Sequence, residues 1–213
     1  AIMSPNNINY FACFNGIPLT GGISTTINPL YTKAEVLHQL TLTEAKAIIA
    51  HPMCVEAARG AATEIGIPVL NIDAAAGALE GATSTIDEFL TEREESLDYD
   101  SFGGGEGFDE FNSLVTIPFS SGTTGLSKGV MLSHRNLTSN ILQLQPGEGK
   151  YLLPENTRSG GRGALLCPLP FFHIYGMIAG LEVPLHAGAK CVFMESFDLQ
   201  LFLSLIQEHL SAT

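Results

Sequence analysis

The chain has 213 residues, 45% of them hydrophobic, which is enough to bury a substantial core in one large domain or two small ones. Its 22 acids against 10 bases leave a net charge of −12, so a nucleic-acid backbone would be repelled and a nucleic-acid partner is excluded. No apolar run reaches the roughly 18 residues that a bilayer span needs, and no charged-then-apolar leader opens the chain.

The first residues, from Ala1, read as the end of a strand running into Pro5, so further residues are expected upstream. Thr32-Lys33-Ala34-Glu35 has the form of a capping box, and Val36, Leu37 and Leu40 follow at helical spacing. Ala47 to Ala50 reads as a strand, Val55 to Ile65 as a helix stopping at Gly66, and Pro68 to Ile72 as the next strand. This alternation predicts an α/β fold, a parallel sheet flanked by helices. Asp87, Glu88, Glu92, Glu94, Glu95, Asp98, Asp100, Glu106, Asp109 and Glu110 then crowd one segment. They read as a solvated linker or helix face; their spacing is not that of a calcium loop and no His or Cys sits among them. Gly103 to Gly107 follows these acids instead of a strand, so it reads as linker and not as a dinucleotide fingerprint.

The apolar run Leu114 to Phe119 leads into Ser-Ser-Gly-Thr-Thr-Gly-Leu-Ser-Lys-Gly at residues 120 to 129. Glycines let backbone amides approach an anion, Ser120, Ser121, Thr123 and Thr124 offer hydroxyls, and Lys128 offers a compact positive charge. Such a loop suits the phosphates of a nucleotide. A Walker A loop does not fit, because Lys128 follows Ser127 in place of a glycine and precedes Gly129, leaving no hydroxyl immediately after the lysine for magnesium. Composition alone also allows a flexible polar loop.

Beyond the loop, Val130 to Ser133 reads as a strand and Ser133 or His134 opens a helix to about Leu144, with His134 and Arg135 completing its first backbone bonds. Pro154 to Gly163 is loop, Ala164 to Cys167 strand, 174 to 186 a mostly apolar helix, Lys190 to Met194 strand and Leu199 to Leu210 helix. The division expected is a first α/β lobe over 1–150, a loop over 151–163 and the start of a second lobe over 164–213. Cys13, Cys54, Cys167 and Cys191 are scattered in apolar contexts and read as buried, reduced, non-nucleophilic thiols. His173 lies among Phe171, Phe172, Ile174 and Tyr175; on these neighbours alone it reads as a core histidine, Phe171 as core, and Phe172 and Tyr175 as core or pocket lining.

The string SSGTTGLSKGVMLSHRN, followed some forty residues later by Pro168-Leu169-Pro170-Phe171-Phe172-His173-Ile174-Tyr175-Gly176, resembles two signature motifs of the adenylate-forming superfamily. That superfamily holds acyl-CoA synthetases, 4-coumarate-CoA ligases, beetle luciferases and peptide-synthetase adenylation domains. Pro5-Asn6, Tyr10-Phe11 and Asn28-Pro29-Leu30-Tyr31-Thr32 resemble the upstream stretch of 4-coumarate-CoA ligase-like enzymes, and the resemblance thins between about residues 75 and 112. Ser127 stands where the family commonly has proline, which loosens the turn without removing a phosphate ligand.

The resemblance implies part of a two-lobed N-terminal domain, with a small mobile C-terminal domain outside this chain. It implies that a carboxylic acid attacks ATP to give an acyl-adenylate and pyrophosphate, and that coenzyme A then takes the acyl group. It assigns Ser120, Ser121, Gly122, Thr123, Thr124, Gly125 and Lys128 to the phosphates, with Mg2+ bridging phosphate oxygens and no protein metal ligand named. His173, with Lys128 a catalytic candidate, would orient the carboxylate and gate the acyl or pantetheine tunnel. The family's adenine, ribose, hinge-arginine and C-terminal lysine motifs are not found, so the chain is expected to be a fragment that holds ATP weakly and turns over negligibly by itself. A non-catalytic nucleotide-binding remnant and a P-loop phosphotransferase are the alternatives. The cytosol is the expected location and the peroxisome its alternative.

Overall fold

The computed structural model describes residues 1–73, 84–85, 109, 111–120, 127–147 and 164–209. The chain divides into two compact units, Ala1–Ser4 with Ile8–His134, and Pro5–Asn7 with Arg135–Thr213.

The first unit is built on five short strands: β1 Ile2–Met3, β2 Thr26–Ile27, β3 Ile48–Ala50, β4 Val69–Asn71 and β5 Ser84–Thr85. They pair in the order β2-β1-β3-β4-β5, every neighbour parallel, as the alternation of strand and helix predicts. Helices α1 Tyr10–Leu19, α2 Lys33–Leu42 and α3 Val55–Ile65 connect them, with a 3-10 turn at Pro52–Cys54. The capping box forms: the Thr32 N–H donates to Glu35 Oε2 at 2.8 Å, and the Glu35 N–H donates to Thr32 Oγ1 at 3.4 Å. α3 stops at Gly66, whose φ of 71° is left-handed backbone that glycine adopts without strain. Val36 and Leu40 of α2 and Ala58, Ala61 and Ala62 of α3 share one buried cluster with Met3, Ile27, Ile48, Ala50 and Val69. The small alanines let the two helices approach closely, and a Lys33–Glu64 ion pair ties their exposed sides.

α1, like the two-residue strands β2 and β5, is not disclosed by the sequence pattern. Its segment carries no charge, no side chain caps it, and Pro18 sits in its last turn; burial of Tyr10, Cys13 and Phe14 holds it instead.

The apolar run that leads into the phosphate loop forms two short strands. β6 Leu114–Thr116 pairs antiparallel with β9 Leu132–Ser133, and β7 Phe119–Ser120 pairs antiparallel with β8 Lys128–Gly129. Pro118 has no N–H to give and interrupts the first ladder, and its carbonyl instead accepts the Val130 N–H at 2.8 Å. The expected strand Val130 to Ser133 is therefore a two-residue strand preceded by irregular chain. β6 and the residue after it are anchored to Ser24, two residues ahead of β2: Ser24 N–H donates to the Val115 carbonyl at 3.0 Å, and Ile117 N–H donates to the Ser24 carbonyl at 2.8 Å.

Next comes α4, His134–Leu144, opened as expected at His134. In the second unit β10 Ala164–Cys167 pairs parallel with β11 Lys190–Phe193, and α6 Leu199–His209 begins where the Asp198 carboxylate accepts the Leu201 N–H at 2.7 Å. The apolar helix expected over 174–186 is different in kind: Gly176–Glu182 is π-helical, with regular α-helical chain at 174–175 and over Val183–His186, α5. Pro184 accounts for part of this. It has no N–H for the Gly180 carbonyl, which accepts the Cys167 thiol at 2.8 Å instead.

The acidic cluster, apart from Asp109, lies outside the described residues, as do Gly103 to Gly107 and the loop over 151–163. Asp109 turns the chain: its carboxylate accepts the Asn112 side-chain amide and the Phe111 and Asn112 backbone N–H groups, which hold its carboxyl below the usual range.

Candidate functional site

The two ends of the hydroxyl- and glycine-rich segment, Ser120 and Lys128, lie in the paired strands β7 and β8. Register sets Ser120 opposite Lys128 and Phe119 opposite Gly129 at its neck. Residues directly opposite on an antiparallel pair project to the same face with Cβ atoms about 5 Å apart. A hydroxyl and an ammonium thus leave the hairpin side by side, and both residues are exposed. Ser121, Gly122, Thr123, Thr124 and Gly125 lie outside the described residues.

The strand entering this hairpin is fixed from beneath by residues that carried no recognisable motif. Gln39, 1% exposed, donates from Nε2 to Thr25 Oγ1 at 2.8 Å and to the Thr26 carbonyl at 3.0 Å. Thr25 Oγ1 donates in turn to the Ile117 carbonyl at 2.7 Å, so α2 and β2 hold the chain two residues ahead of β7.

In the second unit, Pro168 to Gly176 runs from the end of β10 to the π-helix. Asn6 clamps it: Nδ2 donates to the Leu169 carbonyl at 3.0 Å, and Oδ1 accepts the Phe171 N–H at 2.8 Å. A buried asparagine makes both bonds across more than 160 positions of sequence, which no local pattern could have signalled. Phe171 is buried, as expected, with its ring centroid 5.8 Å from that of Phe193. Phe172 is half-buried.

His173 departs from the core reading its neighbours invite. It is exposed, together with Ile174 and Tyr175. The local reason is the helix start: His173 N–H donates to the Pro170 carbonyl at 3.1 Å, Met177 N–H to the His173 carbonyl at 2.8 Å, and Tyr175 N–H to His173 Nδ1 at 3.3 Å. A ring that serves as a helix cap stays at the surface with the helix end.

All four cysteines are free. Cys13, Cys54 and Cys167 are buried, whereas Cys191 is half-buried, short of the full burial expected. Cys191 beside it, together with burial, pushes the Cys167 thiol up. Among the described residues no group of three or more His, Cys, Asp or Glu could hold a metal ion, and no helix is long and apolar enough to cross a membrane.

A family model described as AMP-binding enzyme matches residues 1–211. The chain is 34% identical over 208 residues to 4-coumarate–CoA ligase 1 of Petroselinum crispum, covering 98% of this chain and 35% of that protein. It is 36% identical over 196 residues to 4-coumarate–CoA ligase 3 of Oryza sativa subsp. japonica, covering 92% of this chain and 32% of the relative. It therefore spans about a third of the length of these curated relatives. Among solved structures, a red-emitting luciferase of Phrixothrix hirtus superposes with a TM-score of 0.79 at 26% identity, over 98% of this chain and 38% of that one. ATP-bound MatB of Rhodopseudomonas palustris superposes at 0.69 with 25% identity, over 97% and 37%.

Proposed function

The chain belongs to the AMP-binding enzyme family, among whose adenylate-forming acid–CoA ligases its relatives fall, and from that premise we propose that the whole protein activates a carboxylic acid with ATP and passes the acyl group to coenzyme A. A carboxylate oxygen attacks the α-phosphorus, the bond to pyrophosphate breaks, and the thiol sulfur of coenzyme A then takes the acyl carbon as AMP leaves. Negative charge gathers on the departing pyrophosphate in the first step, and preorganised donors aimed at that charge lower the barrier more than water does.

The observation that carries this reading is the hairpin, which brings the Ser120 hydroxyl and the Lys128 ammonium to one exposed face at the neck of a glycine-rich loop. Lys128 would neutralise the leaving diphosphate, while Ser120 and the loop residues Ser121 to Gly125 would donate to its oxygens. Ser120 is also an oxygen donor of the kind magnesium accepts, and the ion would supply charge neutralisation between phosphate oxygens. His173, flanked by exposed Leu169, Ile174 and Tyr175, would orient the carboxylate beside an apolar surface suited to an aromatic or aliphatic acyl group. The relatives favour a 4-coumarate-like acid, with medium- to long-chain acids next.

The test is AMP and pyrophosphate release by the full-length protein, given ATP, magnesium, coenzyme A and a panel of aromatic and fatty acids. Acid-dependent AMP is expected, and Lys128→Met should lower it by about a hundredfold or more. ATP binding without AMP would move the assignment to a non-catalytic nucleotide-binding remnant, and ADP as product would move it to a phosphotransferase.

A further inference from the structure

We propose that Gly176 is a positioning residue that fixes His173 in one neutral tautomer, so that the ring meets the reacting carboxylate as an Nε2–H donor; this rests on the assignment of His173 to that carboxylate. The ring nitrogen Nδ1 accepts the Tyr175 N–H at 3.3 Å. A nitrogen that accepts presents its lone pair, so the single proton of a neutral imidazole sits on Nε2. The chain uses the same device once more. His51 Nδ1 accepts the Met53 N–H at 3.3 Å to open the 3-10 turn at Pro52–Cys54.

Around His173 the cap is held by a closed turn. The Pro170 carbonyl accepts the His173 N–H, the His173 carbonyl accepts the Met177 N–H at 2.8 Å, and Asn6 grips Leu169 and Phe171 on either side of Pro170. Gly176 completes the turn by packing on the Pro170 peptide: a Cβ there would stand 2.1 Å from the Pro170 oxygen and 2.7 Å from its carbonyl carbon. These atoms are backbone and cannot swing aside, so any side chain at 176 would push the first helical turn off Pro170 and carry the Tyr175 N–H away from the ring.

The chemical gain is specific. A neutral N–H donor orients a carboxylate but leaves its negative charge unpaired, so the oxygen remains a good nucleophile toward phosphorus. An imidazolium in the same place would hold that lone pair in an ion pair.

Side-chain 1H–15N correlation spectra of the 15N-histidine-labelled 213-residue chain at neutral pH test the tautomer without any turnover. They can therefore fail independently of the ligase assignment. The expected result is a pyridine-type Nδ1 and a pyrrole-type Nε2 for His173, matching His51; a pyrrole-type Nδ1 or averaged signals for His173 would overturn the proposal. In Gly176→Ala the His173 signals should move toward averaged tautomers while those of His51 stay in place. Unmoved His173 signals in a folded Gly176→Ala chain would remove Gly176 from its role. In the full-length protein, His173→Gln, whose amide nitrogen reaches toward the Nε2 position, should keep at least about tenfold more kcat for AMP formation than His173→Asn, whose shorter side chain retains the cap acceptor, with similar KM for ATP. Equal kcat in the two variants would overturn the donor role even where Gly176→Ala does not fold.

Discussion

Replacing Asn6 by alanine isolates the clamp on the proline-rich turn. Asn6 is 5% exposed and makes two hydrogen bonds, from Nδ2 to the Leu169 carbonyl at 3.0 Å and from the Phe171 N–H to Oδ1 at 2.8 Å. A net hydrogen bond is worth about 1 kcal/mol, and a buried donor deprived of its acceptor costs about 1–3 kcal/mol, so the turn should lose about 2–4 kcal/mol. Hydrogen exchange of the Phe171 amide reads this locally, without requiring the two units to unfold together. At about 1.4 kcal/mol per factor of ten, exchange should quicken roughly 30-fold or more. Asn6→Asp keeps the acceptor for Phe171 but sets a carboxylate oxygen against the Leu169 carbonyl, so it should be at least as damaging. Exchange at Phe171 within about threefold of wild type in Asn6→Ala would show that the clamp carries none of this energy.

Burial pushes the Cys54 thiol up to about 11, with its sulfur 3.1 Å from the Met3 carbonyl oxygen. A folded value above the unfolded one means that this contribution to stability is whole below pH about 9 and is lost as pH rises toward about 11. Cys54→Ser keeps a donor for Met3 and does not titrate there, so its curve of unfolding free energy against pH should fall less steeply over that window; parallel curves would contradict the assignment. Thr32→Ala should cost about 1 kcal/mol in a urea melt through loss of the cap. It should also raise the Glu35 carboxyl, which hydrogen bonds from the Thr32 side chain and backbone hold below its usual value and whose contribution disappears as pH falls through that lowered value. An unchanged NMR titration of Glu35 would contradict this.

Elements governed by local rules could be read from the sequence. The capping box at Thr32, the left-handed stop at Gly66 and the strand Ala164–Cys167 follow from neighbours within a few residues. Features governed by distant partners could not. Asn6 acts through residues 163 and 165 positions away, Gln39 acts through Thr25, and α1 is held by burial and not by its own pattern. The π-helix needed the combined knowledge that Pro184 withholds an N–H and that Cys167 is placed to replace it. The apolar neighbours of His173 suggest an interior that the structure does not give it, because the run ends at the surface start of a helix.

β1, only two residues long, lies between β2 and β3. On a ribosome β1 is made before both of its flanking strands, the second of which ends at Ala50. Ile2 and Met3, fully interior in the finished molecule, must therefore stay unpaired while the next several dozen residues emerge. The order of translation opposes the order of the sheet, and the nascent protein carries an unpaired apolar segment that invites chaperone capture until its neighbours arrive.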